Sequence, residues 1–280
     1  MDEVGLGKAL QDARKSRGMT QQELCHAAEL SYSTLAKIER GAIKSPSVFT
    51  VGRIAQVLGT SVDSLLGLET LAPVSNKKTA KNGAQFVFFD VNGCIVQFTH
   101  NAFAKLSQES GVSVSEIQAV FWEYDEDINR GTRQVEDLNA ALSALLGQDI
   151  DWLDYYLQTT EAIGGMHELL TWAAEHYRVG LLTNSMPGFV QALQATGKIP
   201  SVEFDVIIDS SAIGAVKPDR AIYEAAIEQS GHTGAEILFV DDLQANLAAA
   251  QRQFGWNTIW FDPYRPDISI ATIRQALAFE

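Results

Sequence analysis

The sequence predicts an all-α domain of five short helices followed by an α/β domain, a parallel sheet that carries a helical insertion. Three observations predict it. Apolar residues recur at helical spacing over residues 5–66, broken by hydroxyl and glycine stops. From residue 86 onward, short apolar runs end on carboxylates or other polar residues, with helical patterns between the later ones. Between these regions, residues 70–85 (TLAPVSNKKTAKNGAQ) carry Pro73, Gly83 and few large apolar side chains, which is linker composition. The expected units are therefore 1–69, the linker 70–85, and 86–280.

In the first region, Leu6, Leu10 and Ala13 place a helix over residues 5–17, stopped by Gly18. Thr20 and Glu23 have the form of a capping box, which starts a second helix that closes near Glu29–Leu30. Ser31 opens a third, with Leu35 and Ile38 inward and Gly41 as its stop. Val48, Val51, Ile54, Ala55 and Leu58 define a fourth over 47–58, and Ser61–Leu66 a fifth. The tight turn between the second and third suggests a helix-turn-helix. Ser33, Lys37 and Arg40 lie opposite Leu35 and Ile38 as a polar, basic stripe. Such a stripe suits a major groove and equally suits the solvated face of a small bundle, and pattern alone leaves both readings open.

The composition is that of a globular protein: of 280 residues, 46% are hydrophobic and 20% charged, which excludes a disordered or collagen-like chain. No apolar run reaches the ~18 residues of a membrane span. The first residues are too charged for a secretory leader. With only Cys25 and Cys94, the expected location is a reducing cytoplasm. The net charge of −14 argues against a nucleic-acid partner only if it is evenly spread. It is not. Residues 1–69 hold eight bases and eight acids, the linker adds Lys77, Lys78 and Lys81 with no acid, and the remainder is at −17.

The run Met19–Leu66, with its string STLAKIERG, resembles the Cro and phage-repressor (XRE-like) helix-turn-helix domains over roughly residues 4–68. The resemblance implies double-stranded DNA as partner. Gln21 would hold a phosphate, Tyr32, Ser33 and Lys37 would face bases, and Arg40 and Lys44 would touch the backbone. Two positions depart from the pattern: Glu29 stands where the turn usually has Gly, and Cys25 where Ala is usual. Cys25 reads as a small core residue.

In the second region, Phe86–Phe89 runs into Asp90, Val179–Leu182 into Thr183–Asn184, and Val206–Ile208 into Asp209. Ile237–Val240 runs into Asp241–Asp242, and Thr258–Trp260 leads to Asp262. Polar groups at the carboxyl ends of parallel strands converge on one crevice. Asp90, Asp241 and Asp242 with Lys217 would gather hard oxygen ligands for Mg²⁺, although each Asp taken singly reads as a helix N-cap. The order Asp90-Val91-Asn92-Gly93-Cys94, Leu181-Leu182-Thr183-Asn184, Lys217-Pro218-Asp219 and Phe239-Val240-Asp241-Asp242 with Asn246 resembles the haloacid dehalogenase-like (HAD) phosphohydrolases. The fold implied is a Rossmannoid α/β domain with an α-helical cap near 99–165.

That resemblance implies Asp90 as nucleophile, Thr183, Asn184 and Lys217 on the phosphoryl oxygens, and Mg²⁺ on Asp90, Asp241, Asp242 and the backbone carbonyl of Asn92. From the cap, Arg130, Arg133, Trp122 or Tyr124 are within reach of a ligand, with surface or cap-core roles the simpler reading of each. Glu123, Asp125, Glu126 and Asp127 read as a solvated acidic stretch. Asn92 occupies the position of a second Asp that protonates the leaving oxygen and then activates water. An amide does neither, which removes ~10²–10⁴-fold of rate, roughly 3–5 kcal/mol of barrier. The expectation is a homodimeric regulator whose acidic domain binds a phosphorylated small molecule or carries an aspartyl phosphate. The alternative is an active Mg²⁺-dependent phosphatase with an accessory DNA-binding domain.

Overall fold

The computed structural model describes residues 4–28, 30–43, 46–60, 62–65 and 77–278. Contacts divide the chain into two compact units, Met1–Ser75 and Asn76–Glu280.

The first unit is helical: α1 (Val4–Ser16), α2 (Gln21–Ala27), α3 (Tyr32–Glu39), α4 (Val48–Leu58) and α5 (Val62–Leu65). Thr20 accepts from the Glu23 amide (3.2 Å) while the Glu23 carboxylate accepts from the Thr20 amide (2.7 Å), so both orphan donors are met. Ser31 caps α3 by accepting from the Thr34 amide, and Ser47 caps α4 by accepting from the Thr50 amide. Leu10, Leu24, Leu35, Ile38, Ile54 and Leu58 form the core, and Cys25 is buried in it as a small apolar residue. One ion pair crosses this core. Arg14 donates to both oxygens of Glu39 (2.7 and 2.9 Å), and the Gln21 amide donates to the same carboxylate (2.8 Å). Glu29 and Lys44 lie outside the described residues.

The second unit begins before the sheet. Residues 77–85, expected as linker, pack onto it. The Lys78 amide donates to the His176 carbonyl (2.7 Å), the Gln85 amide to Glu236 (2.7 Å), and Ala80 and Ala84 are buried. Small alanines carry too little apolar signal for composition to reveal this docking.

The chain then runs β1 (Phe86–Phe89), α6 (His100–Ser110), α7 (Val114–Asn129), α8 (Val135–Leu146), α9 (Trp152–Thr159), α10 (Met166–His176), β2 (Arg178–Thr183) and α11 (Phe189–Ala195). It continues through β3 (Val206–Asp209), α12 (Ser210–Ile213), α13 (Arg220–Ser230), β4 (Ile237–Asp241), α14 (Gln244–Phe254), β5 (Asn257–Trp260) and α15 (Pro266–Ala276). No described helix is long and apolar enough to cross a membrane.

All five strands are parallel, in the order β3-β2-β1-β4-β5. The order reverses between β1 and β4, where such sheets open a crevice at their carboxyl ends. Alternation divides β1 between two cores: Phe86 and Phe88 join Tyr223 and Trp256 on one face, Val87 and Phe89 join Leu169 and Tyr177 on the other. Helices α6–α9 form the insertion between β1 and β2. Its two connections run side by side, with Gln97 donating to Glu161 and Ile163 to Ile95 (both 2.8 Å).

Gly180 on β2 pairs with Phe88 and Val206. A Cβ there would stand 2.7 Å from the Val206 carbonyl oxygen and 2.8 Å from the Phe88 ring. Gly180→Ala is therefore expected to cost about 1–3 kcal/mol in denaturant unfolding of the full chain. An unchanged midpoint would contradict this register.

Candidate functional site

The carboxyl ends of β1 and β4 bring three carboxylates and one ammonium together. Lys217, on the loop before α13, reaches Asp90 (2.9 Å) and Asp241 (2.7 Å), and its side chain is 1% exposed. Asn184, at the end of β2, fixes the Lys217 backbone on both sides. The Lys217 amide donates to the Asn184 oxygen (2.7 Å) and the Asn184 amide donates to the Lys217 carbonyl (3.0 Å). Burial opposes the Lys217 charge, but Asp241 and Asp90 outweigh it and hold the ammonium above its ordinary value. Burial first, then the Asp241 and Asp242 charges, push Asp90 up to about 7 against the pull of Lys217. Burial and Asp241 likewise push Asp242 up to about 6.

Asp241, expected beside Asp242 as a metal ligand, is engaged elsewhere. Its oxygens accept from Lys217, from the Asn246 amide (3.1 Å) and from the Leu243 backbone (2.7 Å). The group that faces a common point is Asp90, Cys94 and Asp242, with donor atoms within 4.8 Å of one another. Gly93 makes this approach possible. It has φ +83°, and a Cβ on it would lie 2.4 Å from an Asp242 oxygen. Burial and the carboxylates push the Cys94 thiol up, so it stays protonated. The donors left are two carboxylates, hard oxygens that fit Mg²⁺ and leave room for water and phosphate oxygens.

The remaining strand-end acids do not join the cluster. Asp209 accepts from the Ser211 amide (3.0 Å), and Asp262 from the Tyr264 amide (3.0 Å) and the Arg265 guanidinium (2.7 Å). Asp209 is the N-cap of α12, the simpler reading of a strand-end Asp, and Asp262 holds the turn that leads into α15. Thr183 is fully buried, and its hydroxyl reaches the Asn184 carbonyl at 3.4 Å.

Asn92 is half-buried beside Asp90, and its side-chain oxygen accepts from the Tyr156 hydroxyl of α9. Burial holds the Tyr156 phenol well above its ordinary value, so it is a poor proton donor at neutral pH. Tyr156 escaped the sequence reading because 64 residues separate it from Asn92.

Above these groups lies a cavity of about 230 Å³, walled on the insertion side by Phe98, Trp122, Asp125, Asn129 and Trp152. Asp125 is not part of a solvated stretch. It stands four residues from both Phe121 and Asn129, on the inward face of α7, and the helical period is the signal that separates it from Glu123, Glu126 and Asp127. Trp122, for which a surface or cap-core role was the simpler reading, lines the cavity. Arg130 instead pairs with Asp219 and Glu126, and Arg133 lies over the Tyr124 ring at 4.3 Å.

On the first unit, Tyr32, Ser33, Lys37 and Arg40 are exposed along α3 while Leu35, Ala36 and Ile38 are buried. Gln21, expected on a phosphate, is half-buried and bonded to Glu39.

An open parallel sheet with carboxylates beside its strand-order reversal and a helical insertion above defines a Rossmann-like α/β architecture. The chain belongs to the haloacid dehalogenase-like hydrolase family, whose model matches residues 85–252. A helix-turn-helix model matches residues 10–65, so a DNA-binding domain is fused to the hydrolase domain. The helix-turn-helix part is similar to the immunity repressor protein of Bacillus phage phi105, 41% identical over 66 residues, 24% of this chain and 45% of that protein. The hydrolase part is similar to acyl-CoA dehydrogenase family member 10 of Mus musculus, 26% identical over 149 residues, 52% of this chain and 14% of that protein. The chain thus spans less than half of either curated relative.

Among solved structures, a HAD-like family hydrolase of Porphyromonas gingivalis aligns with TM-score 0.57 at 24% identity, over 70% of this chain and 99% of that one. A HAD family enzyme of Bacteroides thetaiotaomicron in complex with magnesium and inorganic phosphate aligns with TM-score 0.54 at 17% identity, over 64% and 94%. These likenesses establish the fold.

Burial, opposed by the Asn129 hydrogen bond and aided by Glu126, pushes Asp125 up to about 6. A carboxyl raised above its unfolded value of ~3.9 destabilises the native state above pH 6, and that cost fades as pH falls toward 4. Asp125→Asn is therefore expected to stabilise the protein by on the order of 1–2 kcal/mol at pH 8 and by almost nothing near pH 4. Thermal unfolding at the two pH values checks this, and a pH-independent difference would contradict it.

Proposed function

We propose that the chain is a DNA-binding transcriptional regulator whose hydrolase domain binds a phosphorylated small molecule or carries an aspartyl phosphate on Asp90, with little turnover. The observation that carries this reading is the pairing of an intact Asp90–Lys217–Asp242 pocket with Asn92, whose side chain is capped by Tyr156. The magnesium and phosphate held by the Bacteroides relative support a phosphoryl ligand for the same fold.

In this reading an Asp90 oxygen attacks phosphorus as the ester O–P bond breaks, and Asp90 bears the phosphoryl group. Lys217 offsets charge on Asp90 and on the phosphoryl oxygens, and Asn184 holds Lys217 in place. Mg²⁺ held by Asp90, Asp242 and the Asn92 carbonyl would neutralise phosphoryl charge. The departing oxygen must take its proton from water, because neither Asn92 nor the high-pKa Tyr156 gives one up at neutral pH. Hydrolysis, in which water attacks phosphorus and frees Asp90, lacks a base for the same reason. The alternative, an active phosphatase with an accessory DNA-binding domain, is favoured by the intact nucleophile pocket. Asn92→Asp separates the two. The regulator reading expects phosphate release to rise ~10²–10⁴-fold in the variant. Equal rates in both proteins would overturn it in favour of the phosphatase.

The exposed face of α3 would enter the major groove, with Tyr32, Ser33 and Lys37 toward bases and Arg40 and Lys44 toward phosphates. A homodimer would set two such helices against half-sites ~34–36 Å apart, and the ligand would act through their spacing. Footprinting at moderate salt is expected to find a preferred site. Lys37→Ala should weaken binding there by ~1–3 kcal/mol and relax the choice of one base. Protection without sequence preference would contradict the regulator reading.

A further inference from the structure

The insertion side of the cavity carries chemistry that the phosphoryl reading does not use. Asp125 is a half-buried carboxylate on the wall opposite the strand ends, and its neighbours there are Asn129, Trp122 and Phe98. Every cation near it in sequence is engaged elsewhere: Arg130 with Asp219 and Glu126, Arg133 over Tyr124. Asn129 lies with it on the cavity wall, and Glu126 adds further negative charge. A carboxylate so placed, with neither full hydration nor a counter-ion, is stabilised by a cation arriving with the ligand.

The aromatic walls favour the same charge. Trp122 is 49% exposed and Phe98 36% exposed, and their rings stack at 6.4 Å beside the cavity. Such π faces attract a positive group. An anionic far end would meet Asp125 directly, and a plain alkyl end would leave the carboxylate dry and unpaired. The cavity's 230 Å³ admits a phosphoryl group and a short chain.

We propose that this wall is an ammonium subsite, and that the ligand is a small phosphate monoester carrying a primary amine at its far end, held by Asp125 and Asn129 beneath Trp122 and Phe98. Phosphoryl group and ammonium then occupy opposite ends of one cavity. The proposal rests on the phosphoryl reading of the Asp90 pocket. Asp125 is a specificity residue here and takes no part in chemistry at phosphorus.

Titration calorimetry on the full chain with Mg²⁺ at pH 7.5 tests it. The probes are ω-aminoalkyl phosphates of two to five carbons, their ω-methyl counterparts, and inorganic phosphate. At one chain length the amine is expected to bind at least about tenfold tighter than its methyl counterpart. In Asp125→Asn that preference should vanish while affinity for inorganic phosphate holds, which also shows the variant is folded. The wild-type comparison stands without the variant. Equal affinity of amine and methyl esters at every length, or a preference that survives Asp125→Asn, overturns the subsite. Failure of inorganic phosphate and all esters to bind overturns the phosphoryl reading, and the subsite with it.

Discussion

The site depends on one buried ammonium. Parallel pairing of β1 and β4 puts Asp90, Asp241 and Asp242 at adjacent strand ends, where two buried carboxylates and one half-buried carboxylate repel one another. Lys217 sits between two of them and makes the arrangement tolerable. Removing it would leave uncompensated charge in a dry interior, the costliest way to break a buried pair. The rest of the pocket is built to hold that ammonium. Asn184 clamps its backbone from the neighbouring strand, and Asn246 and the Leu243 amide satisfy the side of Asp241 it does not reach. Three carboxylates against one ammonium still leave an excess of negative charge, concentrated on Asp90 and Asp242 across the gap that Gly93 keeps open. In the proposed reading a divalent cation would complement that excess and let the pocket accept a phosphoryl group.

The insertion works on the same pocket from the other side. Tyr156 reaches down from α9 to Asn92, and the inward face of α7 lines the cavity with Trp122, Asp125 and Asn129. Arg130, at the end of α7, pairs with Asp219, two residues beyond Lys217. Gly131 passes so close to the Ser211 carbonyl that a Cβ would sit 2.6 Å from it. The covering helices are thus tied to the loop that carries the central ammonium.

Much of this was legible in the sequence because the signals were local. Apolar runs ending in acids or other polar residues marked all five strands, and the Thr20–Glu23 box marked a helix start to the residue. What stayed hidden depended on phase or on distance. Asp125 vanished into an acidic run because counting charges ignores which face of a helix each one occupies. Asp209 and Asp242 look alike in sequence, yet one turns onto its own backbone and the other faces the pocket. Gln21 matched a phosphate-binding position, but Glu39, 18 residues on, takes its amide. Lys77–Lys81 looked like a tether because alanine packing leaves no hydropathy peak.

The central claim is that a nucleophile pocket retained without its proton carrier holds a phosphoryl group and does not turn it over. Intact-protein mass spectrometry after incubation with Mg²⁺ and a small acyl phosphate donor addresses it directly. The account predicts a single phosphoryl adduct, mapped to Asp90, that outlives removal of the donor. Rapid release of phosphate with no adduct on Asp90 would contradict it.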